Sequence, residues 1–223
     1  MNKLTKEAIL WIFILLPILY LWMLWDQLPQ TVPTHFNING EADDWSDKSM
    51  LLYIPGLMGI VIYLLMLIIP GIDPKKKMAQ MGDKFFMLRL IIGVFICGIS
   101  LYILHATKTG AMSGPNIIMI LIGGFFTVFG NYMQTVRPNY FVGIRTPWTL
   151  ENEEVWKATH RLGGKVWMAG GLLMVVLAIV IKDPKIMAIV FGILLAIMII
   201  VPVVYSYLEF KRIKKTIDEG SNG

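Results

Sequence analysis

Residues 186–207, IMAIVFGILLAIMIIVPVVYSY, hold no charged side chain. As a helix rising ~1.5 Å per residue, such a run reaches across ~30 Å of hydrocarbon. Five further apolar runs precede it, at 8–25, 50–70, 85–106, 117–136 and 166–181, each about as long. The pattern predicts an all-α membrane protein with six transmembrane helices. A composition of 56% hydrophobic and 16% charged residues over 223 positions agrees, because one soluble core of that size needs far less apolar surface.

Charge placement sets the expected orientation. Sixteen of the 20 Lys and Arg residues fall on the side of the bilayer that holds both termini, against four on the other (Lys48, Lys108, Lys182 and Lys185). The positive-inside rule then puts both termini in the cytoplasm. The same reading gives the basic excess to membrane topology, with no direct nucleic-acid partner. The first run ends in LWMLWDQLP without a small-residue cleavage pattern, so it is expected to be retained as a span. Cys97 lies inside an apolar run as a small buried hydrophobe, leaving no intrachain disulfide and no cysteine-based metal cluster.

Two polar stretches stand out between the spans. The loop 27–49 faces outside, is rich in Pro, Asn, Gly and Asp, and has a net charge of −3. It is expected as an irregular or hairpin-like outer loop, with His35, Asn37, Glu41, Asp43 and Asp44 as candidate contact residues. Its spacing fits neither a zinc nor a calcium pattern, so no metal is assigned. An acidic outer surface suits a cationic or amphipathic peptide partner.

The second stretch is GIRTPWTLENEEVWKATHR, residues 143–161. Thr146 before Pro147 reads as a helix start, and Asn152 before Glu153 and Glu154 as a second cap, giving a short interfacial helix before the fifth span. Trp156, His160, Gly163 and Trp167 share one helical face. Arg145 is expected either to fork on a carboxylate or lipid phosphate while stacking on Trp148, or to pin its own loop through Glu151 or helix-end carbonyls. His160 beside Arg161 is either a packed hydrogen-bonding side chain or a titrating one. In the fourth run Thr127, Asn131 and Gln134 lie with Gly123 and Gly130 on one face, which reads as interhelical glue or a hydrophilic pocket. No catalytic set is apparent by spacing, so no enzyme and no cofactor are expected.

The run GNYMQTVRPNYFVGIRTPWTLENEEVWKATHRLGGKVW, residues 130–167, closely resembles the signature of the SdpI family, membrane immunity proteins against a sporulation-delaying toxin. Its diagnostic residues include Asn131, Asn139, Arg145, Thr146, Pro147, Trp148, Thr149, Trp156, His160 and Arg161. The outer loop is similar to a small uncharacterised domain often found before that signature. The resemblance implies a multi-pass protein of the bacterial plasma membrane, in contact with membrane lipid, that protects its producer from a secreted peptide toxin. It also implies recruitment of a cytoplasmic winged-helix repressor. On this reading residues 1–70 form an N-terminal two-span unit and 71–223 a four-span unit. A transporter or lipid-binding protein of the envelope is the alternative.

Overall fold

The computed structural model describes residues 2–74, 76–112, 114 and 116–220. The elements run α1 (Lys3–Leu24), a hairpin of β1 (Thr31–Phe36) and β2 (Ala42–Asp47), then α2 (Met58–Ile72), α3 (Asp83–Thr109) and α4 (Asn116–Met133). They close with α5 (Pro147–Glu151), α6 (Glu153–Val180) and α7 (Pro184–Gly220). Among the described residues, five helices (α1, α3, α4, α6 and α7) are long and apolar enough to cross a membrane.

The sixth expected span departs from this pattern. Residues 50–70 do not form one α-helix: Leu52–Leu57 is a π-helical stretch, and the α-helix α2 that follows has only 15 residues. Pro55 falls within that stretch and, lacking an N–H, cannot donate to an α-helical ladder. A widened π turn is one way a helix absorbs that misfit.

Of the two forms expected for the outer loop, irregular or hairpin-like, the structure has the hairpin. β1 and β2 pair antiparallel, with irregular register after Pro33. Asn37 builds the turn: its carbonyl oxygen accepts from the Asn39 and Glu41 amides at 2.9 and 3.1 Å, and its amide nitrogen donates to the Glu41 carboxylate at 3.0 Å. Gly40 sits at φ 81°, a conformation glycine reaches without strain. The tip docks on the α3–α4 connection, where the Met112 amide donates to the Gly40 carbonyl at 2.9 Å. At the base, Val32 is buried with Leu21, Leu24, Leu28, Leu51 and Leu104. The hairpin is thereby fixed to the ends of α1 and α3.

The tightest helix pair is α4 against α6. A Cβ added to Gly130 would lie 2.5 Å from the Met168 nitrogen and 2.8 Å from the Gly164 carbonyl. At Gly123 it would lie 2.8 Å from the Gly171 carbonyl. Gly164 and Gly171 face the same obstruction from Gly130 and Thr127. Glycines seven apart on each helix therefore let two antiparallel backbones touch, as small residues do where lipid offers no hydrophobic drive between helices. Replacing Gly130 or Gly171 by Leu should separate α4 from α6 and lower stability by about 3 kcal/mol, the upper end for overpacking. Gly192→Leu, where an added Cβ meets nothing within 4 Å, should leave the unfolding midpoint in detergent unchanged. Equal midpoints for all three variants would contradict the glycine contact.

Candidate functional site

The loop between α4 and α5 is irregular backbone at the end of two spans. Such backbone needs internal partners, because hydrocarbon supplies none. Asn139, 2% exposed, supplies four of them. Its carbonyl oxygen accepts from the Phe141 and Val142 amides at 2.8 and 2.7 Å, and its amide nitrogen donates to the Arg137 and Val142 carbonyls at 2.8 and 2.9 Å.

α6 meets this loop with two stacked rings. Trp156 and His160, one turn apart and both fully buried, lie with ring centroids 4.0 Å apart. The Trp156 indole donates to the Val136 carbonyl at 2.9 Å. The His160 Nε2 accepts the Ile144 amide at 3.0 Å, and its Nδ1 lies 2.9 Å from the Trp156 carbonyl. One nitrogen must accept and the other donate, so the geometry selects the neutral imidazole with its proton on Nδ1. Gly143 makes this seat possible. Its φ is 126°, and a Cβ there would lie 2.4 Å from His160 Nε2 and 3.1 Å from the Trp156 ring.

Thr146 and Thr149 close the loop onto α5 and α7. Thr146 is the N-cap of α5, with Pro147 in the first turn, and the two threonines form a reciprocal capping box. The Thr149 hydroxyl accepts the Thr146 amide and donates to the Ile144 carbonyl, both at 2.9 Å. The Thr146 hydroxyl is 3.0 Å from that of Ser206 on α7. Asn152 then caps α6 through the Glu154 and Val155 amides. Seven signature residues (Asn139, Thr146, Pro147, Trp148, Thr149, Trp156 and His160) thus sit in or against one clasp.

The remaining three, Asn131, Arg145 and Arg161, are exposed. Arg145 is exposed and donates to the Tyr140 carbonyl within its own loop. Trp148 packs on Tyr207, with centroids 5.0 Å apart, so the expected stack with Arg145 is replaced by an aromatic contact to α7. Arg161 is exposed on α6, and Asn131 is exposed on α4. Of the three polar residues of the fourth run, Thr127 and Gln134 lie at the contact with α6 and Asn131 is exposed. Thr127 donates to the Gly123 carbonyl at 2.8 Å, and Gln134 lies against Gly164.

On the outer face, His35 Nδ1 is 2.5 Å from an Asp43 carboxylate oxygen. Asp44 accepts from the Trp45 amide at 3.0 Å, and Asp47 from the Ser49 amide at 2.8 Å and the Gln30 side chain at 2.7 Å. The Ser49 and Gln30 donors hold the Asp47 carboxyl below the usual carboxylate range. Beneath the hairpin, a cavity of about 220 Å³ is lined by His35, Phe36, Met50, Leu51, Ile103 and Met112, among others. Among the described residues, no three His, Cys, Asp or Glu side chains are grouped to share a metal ion.

Sequence reasoning passed over Glu7. Its carboxylate forms a two-pronged pair with Arg89, at 2.7 and 2.8 Å, and accepts the Tyr63 hydroxyl at 2.8 Å. The Arg89 guanidinium also lies 5.0 Å from the Tyr63 ring centroid. This cluster ties α1, α2 and α3 together. The available signal was depth: Glu7 and Arg89 both lie near the same edge of their apolar runs, and burial favours pairing there.

These contacts define a multi-helix membrane protein whose last spans are joined by a buried polar clasp. Residues 135–206 match the SdpI/YfhL protein family, and residues 12–59 match a domain of unknown function, DUF1648. The resemblance read from the sequence therefore holds, and the chain carries an SdpI/YfhL segment behind that domain. Over 206 residues it is 28% identical to the Immunity protein SdpI of Bacillus subtilis (strain 168), covering 92% of this chain and 96% of that protein. It is also 26% identical over 146 residues to an uncharacterized protein of Archaeoglobus fulgidus, covering 54% of this chain and 75% of that protein. No solved structure matches the chain.

Exchanging His160 for Phe keeps a ring against Trp156 but removes the acceptor for the buried Ile144 amide. The variant should lose about 2 kcal/mol, the cost of leaving one buried donor unpaired. Arg161→Ala, at an exposed neighbour, should stay within about 0.5 kcal/mol. Unfolding midpoints that do not separate the two variants would contradict the clasp.

Proposed function

We propose that the protein is a non-enzymatic immunity protein of the bacterial plasma membrane that protects the cell from a secreted, membrane-active peptide. The observation that carries this reading is the similarity to an immunity protein over nearly the whole of both chains. Two features of the outer hairpin support it. Glu41, Asp43, Asp44 and Asp47 gather there against one lysine, and Trp45 stands 53% exposed among them. Acidic charge with an exposed indole suits a cationic amphipathic peptide, since charge steers the encounter and the aromatic ring supplies contact area.

In this reading both termini lie in the cytoplasm and the hairpin lies outside, in keeping with the lysine and arginine bias. The clasp then sits on the inner face, where it cannot meet an external peptide first. Its role is to hold α6 and α7 in one arrangement and pass a change in the bundle to an inner partner such as a winged-helix repressor. A cleft of about 820 Å³ between the α5–α6 junction and the end of α7, lined by Glu151, Glu153, Glu154, Arg212, Ile213 and Ile217, supports an inner contact there.

The test is expression in a strain sensitive to such a peptide, with membrane potential followed by a voltage-sensitive dye. Cells carrying the protein should keep their potential under doses that depolarise the parent strain. Replacing Asp43, Asp44 and Asp47 together by Asn should shift the protective dose. Full depolarisation at confirmed membrane expression would remove the immunity reading.

A further inference from the structure

Between α3 and α4 runs an open groove of about 460 Å³, lined on α3 by Met87, Ile91 and Val94 and on α4 by Leu121, Gly124 and Val128. Its volume falls in the range of about 300–1,000 Å³ typical of ligand clefts. The rings of Phe95 and Phe125, with centroids 4.4 Å apart, join its two walls. A Cβ at Gly124 would meet nothing within 4 Å, so this glycine is not needed for helix packing as Gly123 and Gly130 are. What it leaves is room along the groove.

Beyond one end of the groove both helices carry a polar residue in line with its walls. On α3, Lys84, Met87, Ile91 and Val94 follow at i, i+3, i+7 and i+10, a single stripe that begins at an exposed lysine. On α4, Gly124, Val128 and Asn131 follow at i, i+4 and i+7, a stripe that ends at an exposed amide. The helices are antiparallel, with Phe95 beside Phe125 and the added Cβ of Gly98 3.6 Å from Leu121. Lys84 and Asn131 therefore lie at the same end. The neighbouring carboxylate, Asp83, is paired with Lys6 and lies outside the stripe.

We propose that this groove holds one anionic glycerophospholipid, with an acyl chain against Gly124 and Val128 and the phosphate at Lys84 and Asn131. The wholly apolar walls fit the chain, and a cation and an amide donor at the same end fit the phosphate oxygens. Basic residues at the membrane edge of an interhelical groove are a recurrent way to select anionic headgroups. The assignment gives Asn131, a signature residue outside the clasp, a ligand. It is independent of the immunity reading.

The experiment reconstitutes the full chain in nanodiscs of equimolar phosphatidylglycerol and phosphatidylcholine, then counts retained lipid by native mass spectrometry after transfer to mild detergent. Wild type should retain phosphatidylglycerol about fivefold over phosphatidylcholine, the preference one lysine supplies near a charged headgroup. Lys84→Gln should bring the two lipids near parity while lipid is still retained. Gly124→Leu fills open space, so it should keep the wild-type unfolding midpoint yet lose the retained lipid. Equal retention by wild type and Gly124→Leu, or no headgroup preference in wild type, would overturn the assignment. So would a wild-type dimer that Gly124→Leu dissolves, because the groove would then be filled by a second copy.

Discussion

Backbone that leaves a helix near the membrane cannot rely on lipid for hydrogen bonds, and this constraint organises the second half of the molecule. Between Met133 and Pro147 the chain has no regular structure to pair its amides and carbonyls. Four buried side chains take over. Asn139 closes the first turn from within, Trp156 and His160 reach across from α6, and Thr149 reaches back from α5. Gly143 provides the positive φ and the absent side chain that let the rings approach. Most of the residues that carry the resemblance in this sequence thus serve to satisfy one irregular loop.

This clasp depends on α6 being correctly placed, which the glycine contact with α4 ensures. With Gly123 and Gly130 against Gly171 and Gly164, the helices have little freedom to slide, so Trp156 and His160 arrive at the loop in register. Further along, the Trp167 indole donates to the Met198 carbonyl at 2.7 Å and brings α7 into the same unit. The N-terminal part is held differently. Its helices meet at a half-buried ion pair, Glu7 with Arg89, where a planar guanidinium matches a carboxylate in two bonds. A pair of that kind fixes orientation more surely than it adds stability.

Much of this could be read from residue order. The apolar runs located the long helices, and Thr146 with Pro147 and Asn152 with Glu153 and Glu154 marked two helix starts. The π-helical entry to α2 was harder to see, because proline in a run signals a misfit without saying how the helix absorbs it. The hairpin carried a usable sign in Asn39-Gly40, a dipeptide suited to tight turns, preceded by Thr31–Phe36 with its β-branched Thr31, Val32 and Thr34. Partners across space were the true blind spot. Nothing local says that Trp148 meets Tyr207 rather than Arg145, or that Glu7 meets Arg89. The glycines of α4 were visible as a face seeking another helix, but the helix that answers them lies some forty residues on, at Gly164 and Gly171.

Residues 139–146 form a loop pinned by buried side chains, with the Phe141, Val142 and Ile144 amides bonded to them, rather than a mobile connection. Hydrogen exchange of the Phe141, Val142 and Ile144 amides in the detergent-solubilised protein tests it most directly. Protection close to that of the α4 and α6 amides is the predicted result. Exchange of these amides at the rate of an open loop would contradict it.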